Sequence, residues 1–100
     1  MKRFRVVLSP ELLIQLEELR RYIAEDRSPQ IANGYIDRIV AKCATLATAP
    51  VRGTARDDVR PGLRTIPLDR RATIAYDVEG DVVTVLAFAY GGRELRNALR

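Results

Sequence analysis

Arginine is the residue type through which this chain could do chemistry. Arg60, Arg64, Arg70, Arg71, Arg93, Arg96 and Arg100 all lie in its C-terminal half, with Tyr90 among them. A planar guanidinium makes bidentate contacts to phosphate or carboxylate, so several converging on one surface would form an anion site. Tyr90 could stack there on a base or donate a hydrogen bond. Alternatively these arginines form a solvated rim, because Asp57, Asp58, Asp69, Asp77, Glu79 and Asp81 are interspersed with them. The chain has no histidine, which removes the usual neutral-pH general base and every Ser-His or Cys-His arrangement. Catalysis would therefore fall to arginine, carboxylate or tyrosine. Cys43 is the single cysteine and cannot form an internal disulfide. It falls on the apolar side of an expected helix, as a small core residue would. With no HExxH, GxSxG, CxxC or Walker-type motif, no metal and no cofactor are expected. Gly91-Gly92 could cradle a phosphate or simply give a flexible exit from a sheet, and no recognised phosphate-loop pattern follows it.

Composition sets the frame for these residues. At 100 residues, 47% apolar and 30% charged, the chain reads as one globular domain over residues 1–100, with a short tail over 91–100. The net charge is +4, carried by 15 arginines against only Lys2 and Lys42. That bias suits an acidic partner, or reflects arginine-rich codon usage. The apolar run after Lys2-Arg3 ends at Ser9-Pro10, too early for a signal sequence, and no stretch is long enough to span a bilayer. A cytoplasmic protein with no membrane partner is expected.

The elements that must position the arginines follow from local signals. Residues 3–8 read as a strand. Ser9-Pro10-Glu11 supplies a cap, a first-turn proline and a first-turn acid, and Leu12, Leu16, Leu19 and Ile23 then recur at helical spacing. Ser28-Pro29 starts a second helix, whose apolar side carries Ile31, Tyr35, Ile36, Ile39, Val40, Cys43, Leu46 and Ala47. Two helices with so short a link must fold back as an antiparallel hairpin. Ile14 lies opposite the first stripe, as a partner surface or as a singly exposed isoleucine. Gly34 costs about 1 kcal/mol relative to alanine, which fits close approach of another backbone or a late helix start. Residues 51–62 read as a polar loop. Three antiparallel strands follow, over 63–68, 72–78 and 82–90, with Glu79-Gly80-Asp81 turning between the last two. The last strand, Val82 to Tyr90, is apolar on both faces and so belongs in the centre of the sheet. The fold class is α+β: an N-terminal strand, a helical hairpin and a three-stranded meander, with the helices on one sheet face and the other an open concavity.

With these pieces in order, residues 5–95 resemble the ParE/RelE toxin superfamily of type II toxin-antitoxin modules, closer to the ParE branch. The resemblance rests on Val7-Leu8-Ser9-Pro10-Glu11, Leu16-Glu17-Glu18-Leu19 with Tyr22-Ile23-Ala24-Glu25, and Tyr35-Ile36-Asp37-Arg38-Ile39. It is completed by Asp57 to Arg64, by Ile74-Ala75-Tyr76-Asp77-Val78, and by Tyr90-Gly91-Gly92-Arg93-Glu94-Leu95, where Tyr90 replaces the family's histidine. The ParE branch implies a non-enzymatic toxin that inhibits DNA gyrase, arrests growth, stabilises plasmids and forms a hetero-oligomer with a ParD-like, ribbon-helix-helix antitoxin. The toxin alone is not expected to bind DNA. Target contacts are expected at Tyr90, Arg93, Arg96 and Arg60, and antitoxin contacts at Leu13, Ile14, Arg64, Ile66 and Arg93. The alternative is a RelE-like, ribosome-dependent messenger endoribonuclease using Arg64, Tyr90 and Arg93. Ungapped matching to that branch keeps a cation at Arg93 and Arg64, but places Ile66, Thr73 and Leu99 where it needs two further cations and a tyrosine.

Overall fold

The computed structural model describes residues 3–70, 72–90 and 98–99. Strand β1 (Arg5–Leu8) leads into helix α1 (Pro10–Asp26), then α2 (Pro29–Ala44) and a 3-10 turn over Thr45–Ala47. Four strands complete the chain: β2 (Thr54–Ala55), β3 (Arg64–Pro67), β4 (Ala72–Glu79) and β5 (Val82–Tyr90). The two helix starts work as their sequences dictate. Ser9 Oγ accepts from the Leu12 amide at 3.0 Å, Ser28 Oγ accepts from the Ile31 amide at 3.1 Å, and a proline fills the first helical turn of each.

The strands form one sheet in the order β1-β5-β4-β3-β2, with β1 parallel to β5 and the remaining pairs antiparallel. The last strand, expected at the centre, is interior with a neighbour on each side, but the middle of the five strands is β4. The sheet has five strands where four were expected, because Thr54 and Ala55 pair with Thr65 and Arg64. Gly53 makes that pairing possible: at φ +95° its backbone passes so close to β3 that a Cβ would lie 2.5 Å from the Thr65 carbonyl oxygen.

Helices α1 and α2 cover one face. Leu12, Leu16, Ile39, Cys43 and Leu46 pack there against Ile66, Ile74, Tyr76, Val83, Val85 and Phe88. The α2 stripe is narrower than its sequence suggests. Ile31 and Val40 are exposed at the flanks, and Ala32, fully buried, lets the helix approach its neighbours closely. Nothing comes within 4 Å of a Cβ built on Gly34, so no close backbone approach explains that glycine. Burial pushes the Cys43 thiol up to about 11, leaving it an inert core group at neutral pH.

The opposite face is not the open concavity expected from the element order. A second apolar cluster, Leu63, Ala75, Ala87, Ala89 and Ala98, lies there, with Val59, Leu86 and Leu99 packed against it. A bulge produces part of this surface. Ala75 pairs with Ala87 and Tyr76 with Val85, so Leu86 has no opposite residue and both Leu86 and Ala87 turn toward the same cluster. Among the described residues no helix is long and apolar enough to cross a membrane.

Candidate functional site

Arg64 and Tyr76 face each other in register across β3 and β4, on the helix side of the sheet. Tyr76 is fully buried, and its hydroxyl donates toward the carbonyls of Pro50, at 2.9 Å, and Arg52. Burial raises its pKa, while the neighbouring Arg64 guanidinium opposes that shift. Arg64 Nη2 donates to the Val51 carbonyl at 2.6 Å, and its Nε is buried without a hydrogen-bond partner. Three consecutive carbonyls of the segment leading to Gly53 are thus held by two side chains. The arginine that the sequence offered as a cation for chemistry is spent on the backbone.

Tyr90 sits at the other end of the same face. Its partner across the sheet is Ala72, four residues along β4 from the Tyr76 that partners Arg64, which separates the two by at least about 13 Å. The Tyr90 ring is 42% exposed, stacked on Phe88 at 6.1 Å between centroids and edge-on to Tyr35 at 6.1 Å. Tyr35 in turn donates to Asp69 Oδ2 at 3.4 Å, with the Arg38 guanidinium 5.5 Å from its ring centre. Burial, followed by the Asp69 charge, pushes the Tyr35 phenol up to about 12. This aromatic group closes the start of α2 onto the end of the sheet and leaves one face of Tyr90 in solvent.

The remaining expected positions are dispersed. Arg60 is exposed in the loop before β3, where its backbone carbonyl accepts from the Leu63 amide at 3.1 Å. Arg70 is exposed in the bend before β4, at the far end of β3 from Arg64. Arg71, Arg93, Arg96 and Arg100, with Gly91 and Gly92, lie outside the described residues. Arg60, Arg64 and Arg70 do not converge. Leu13 and Ile14 are 51% and 62% exposed on α1. Ile66, by contrast, is buried in the core beneath the helices, so its side chain is beyond a partner's reach. Among the described residues no group of three histidine, cysteine or acidic side chains is placed to hold a metal ion.

One residue that motif reading passed over is Gln15. Strand β1 ends at Leu8, opposite Val85, and leaves the last five residues of β5 with no strand on that side. Side chains from the start of α1 take its place. Ser9 Oγ donates to the Leu86 carbonyl at 3.2 Å, and Gln15 Oε1 accepts from the Phe88 amide at 2.9 Å. The same Gln15 amide reaches on through Nε2 to the Ala98 carbonyl at 2.7 Å. Its only sequence signal is a polar residue one position before the buried Leu16.

Comparison with known proteins gives a consistent picture. The family model for the ParE toxin of the type II toxin-antitoxin system, parDE, matches residues 6–95. Toxin ParE3 of Caulobacter vibrioides is 28% identical over 91 residues, covering 91% of this chain and 90% of that protein. Among solved structures, a chain of the chromosomal ParDE toxin-antitoxin system from P. aeruginosa superposes with a TM-score of 0.78. It is 19% identical, and the match covers 89% of this chain and 97% of that one.

Proposed function

The chain belongs to the ParE toxin family of type II toxin-antitoxin systems, and from that premise we propose that it is a cytoplasmic, non-enzymatic inhibitor of DNA gyrase, silenced by a ParD-like antitoxin. Tyr90, Arg93 and Arg96, at and beyond the end of β5, supply the principal gyrase contacts, with Arg60 as a further cation. Leu13 and Ile14 give the antitoxin an apolar step on α1, and Arg93 gives it a cation to pair with acidic residues. Arg64 and Ile66 drop out of that contact set because the fold has already engaged their side chains.

The observation that supports an inhibitor over a nuclease is the makeup of the sheet face opposite the helices. On β3, β4 and β5 that face carries Thr65, Thr73, Ala75, Asp77, Thr84 and Ala87. Cutting an RNA backbone requires cations on the scissile phosphate and a base or orienting group at the 2′-hydroxyl. Methyl and hydroxyl groups supply neither, and the Asp77 carboxylate repels a phosphate. The positions matched to the nuclease branch also divide between the two faces, with Arg64 and Ile66 on the helix side and Thr73 and Leu99 on the other.

Expression in cells without the antitoxin tests the reading. Growth arrest with loss of negative supercoils from a reporter plasmid and intact messenger is the expected result. Messenger cut within ribosome-bound codons, with supercoiling preserved, would overturn it.

A further inference from the structure

Among the described residues, Gln15 is the one side chain of α1 that bonds both to the end of β5 and to Ala98. Its oxygen accepts from Phe88, two residues before Tyr90, and its nitrogen donates to Ala98. Ala98 is buried, with its methyl group in the cluster formed by Leu63, Ala75, Ala87 and Ala89. An amide is the side chain that can do both, because it carries an acceptor and a donor on one short planar group. The bonds join positions 73 and 83 residues apart in sequence, and both are partly buried, where an unmade partner is costly.

We propose that Gln15 is a positioning residue for the target contacts: it ties the end of β5, two residues before Tyr90, to Ala98. The functional part of this proposal rests on the reading that Tyr90, Arg93 and Arg96 contact the target; the anchoring part does not. The cluster of small side chains is its structural counterpart. Three alanines on β4 and β5 leave room for Ala98 to settle against the strands, where larger residues would hold it away.

The two bonds separate by mutation. Gln15→Glu retains an acceptor for the Phe88 amide and removes the donor to Ala98. Gln15→Lys retains a donor and removes the acceptor. NMR contacts between the Ala98 methyl and the alanine methyls of β4 and β5, Phe88 amide exchange, and inhibition of purified gyrase are measured for each variant. In Gln15→Glu the Ala98 contacts should weaken and about tenfold more toxin be needed for half-inhibition, with Phe88 exchange and melting temperature near wild type. In Gln15→Lys Phe88 exchange should quicken about tenfold with the Ala98 contacts kept. Full Ala98 contacts in Gln15→Glu would overturn the anchor, and their loss with undiminished gyrase inhibition would overturn the positioning role. A wild-type chain that leaves gyrase untouched would refute the target reading instead, while the NMR comparison still decides whether Gln15 holds Ala98. If Gln15→Glu does not fold, Ala87→Leu displaces Ala98 from the cluster instead, with weakened Ala98 contacts and the same loss of gyrase inhibition expected.

Discussion

The two faces of the sheet are built to different specifications. On the helix side, large side chains such as Tyr76, Leu12, Ile39, Ile74 and Val85 are fully buried between the strands and two helices. On the other side the cluster is mainly alanine, contributed by strands whose backbone is therefore closely approachable, and its cover comes from Val59 and from Ala98–Leu99 near the chain's end. Each face therefore secures a different part of the chain. The first face holds the fold together, whereas the second holds one short stretch of chain in place, at the end of the molecule where the family's terminal motif begins.

Substitutions at matched depth on the two faces sharpen that contrast. Ile39→Ala, on the helix side, should destabilise the protein by about 2–5 kcal/mol, seen as a large fall in melting temperature. Ala87→Leu, equally buried on the other side, should cost about 1–3 kcal/mol through overpacking, and NMR should show the Ala98 methyl displaced while the helix-side core keeps its shifts. An Ala87→Leu protein with Ala98 undisturbed would break the comparison. Tyr76→Phe should cost about 1–3 kcal/mol by chemical denaturation, because the Pro50 and Arg52 carbonyls lose their shared donor.

Smaller effects are expected at the margins. Ile14→Asp should change stability by about 0.5 kcal/mol or less, since the side chain is already exposed, yet weaken antitoxin binding about tenfold by calorimetry. Tyr35→Phe tests the aromatic junction through pH. The Tyr35 phenol is raised from 10.0 to about 12, so its contribution to folding is complete below pH 10 and is lost as pH rises toward 12. The variant should lose one late step of the tyrosinate absorbance titration and show a shallower decline of stability across that window.

How much of this was legible in the sequence depended on how local each signal was. Ser9-Pro10 and Ser28-Pro29 marked both helix starts because a cap needs only its own turn. That β5 lies inside the sheet was readable because both its faces are apolar, although the centre itself fell to β4. The two-residue β2 was not, since exposed Thr54 and Ala55 look like loop and pair only after Gly53 brings the chain against β3. Nor was the bulge at Leu86, a register choice made between strands. Arg64 looked like a cation free for chemistry because nothing in its neighbourhood announces that the chain thirteen residues earlier returns with its carbonyls facing the guanidinium. Gln15 was invisible for a related reason: an isolated glutamine on a helix carries no pattern, and its two partners lie near the opposite end of the sequence. The assignment to the toxin family came from several short segments in the right order, which survive such local surprises.

Gyrase itself is the proposed target of this toxin. The most direct test is ATP-dependent supercoiling of a relaxed plasmid by purified gyrase, with the folded toxin titrated in and the antitoxin then added in excess. Supercoiling should stop as toxin rises and resume when antitoxin is supplied; supercoiling that continues unchanged at saturating toxin would rule gyrase out as the target.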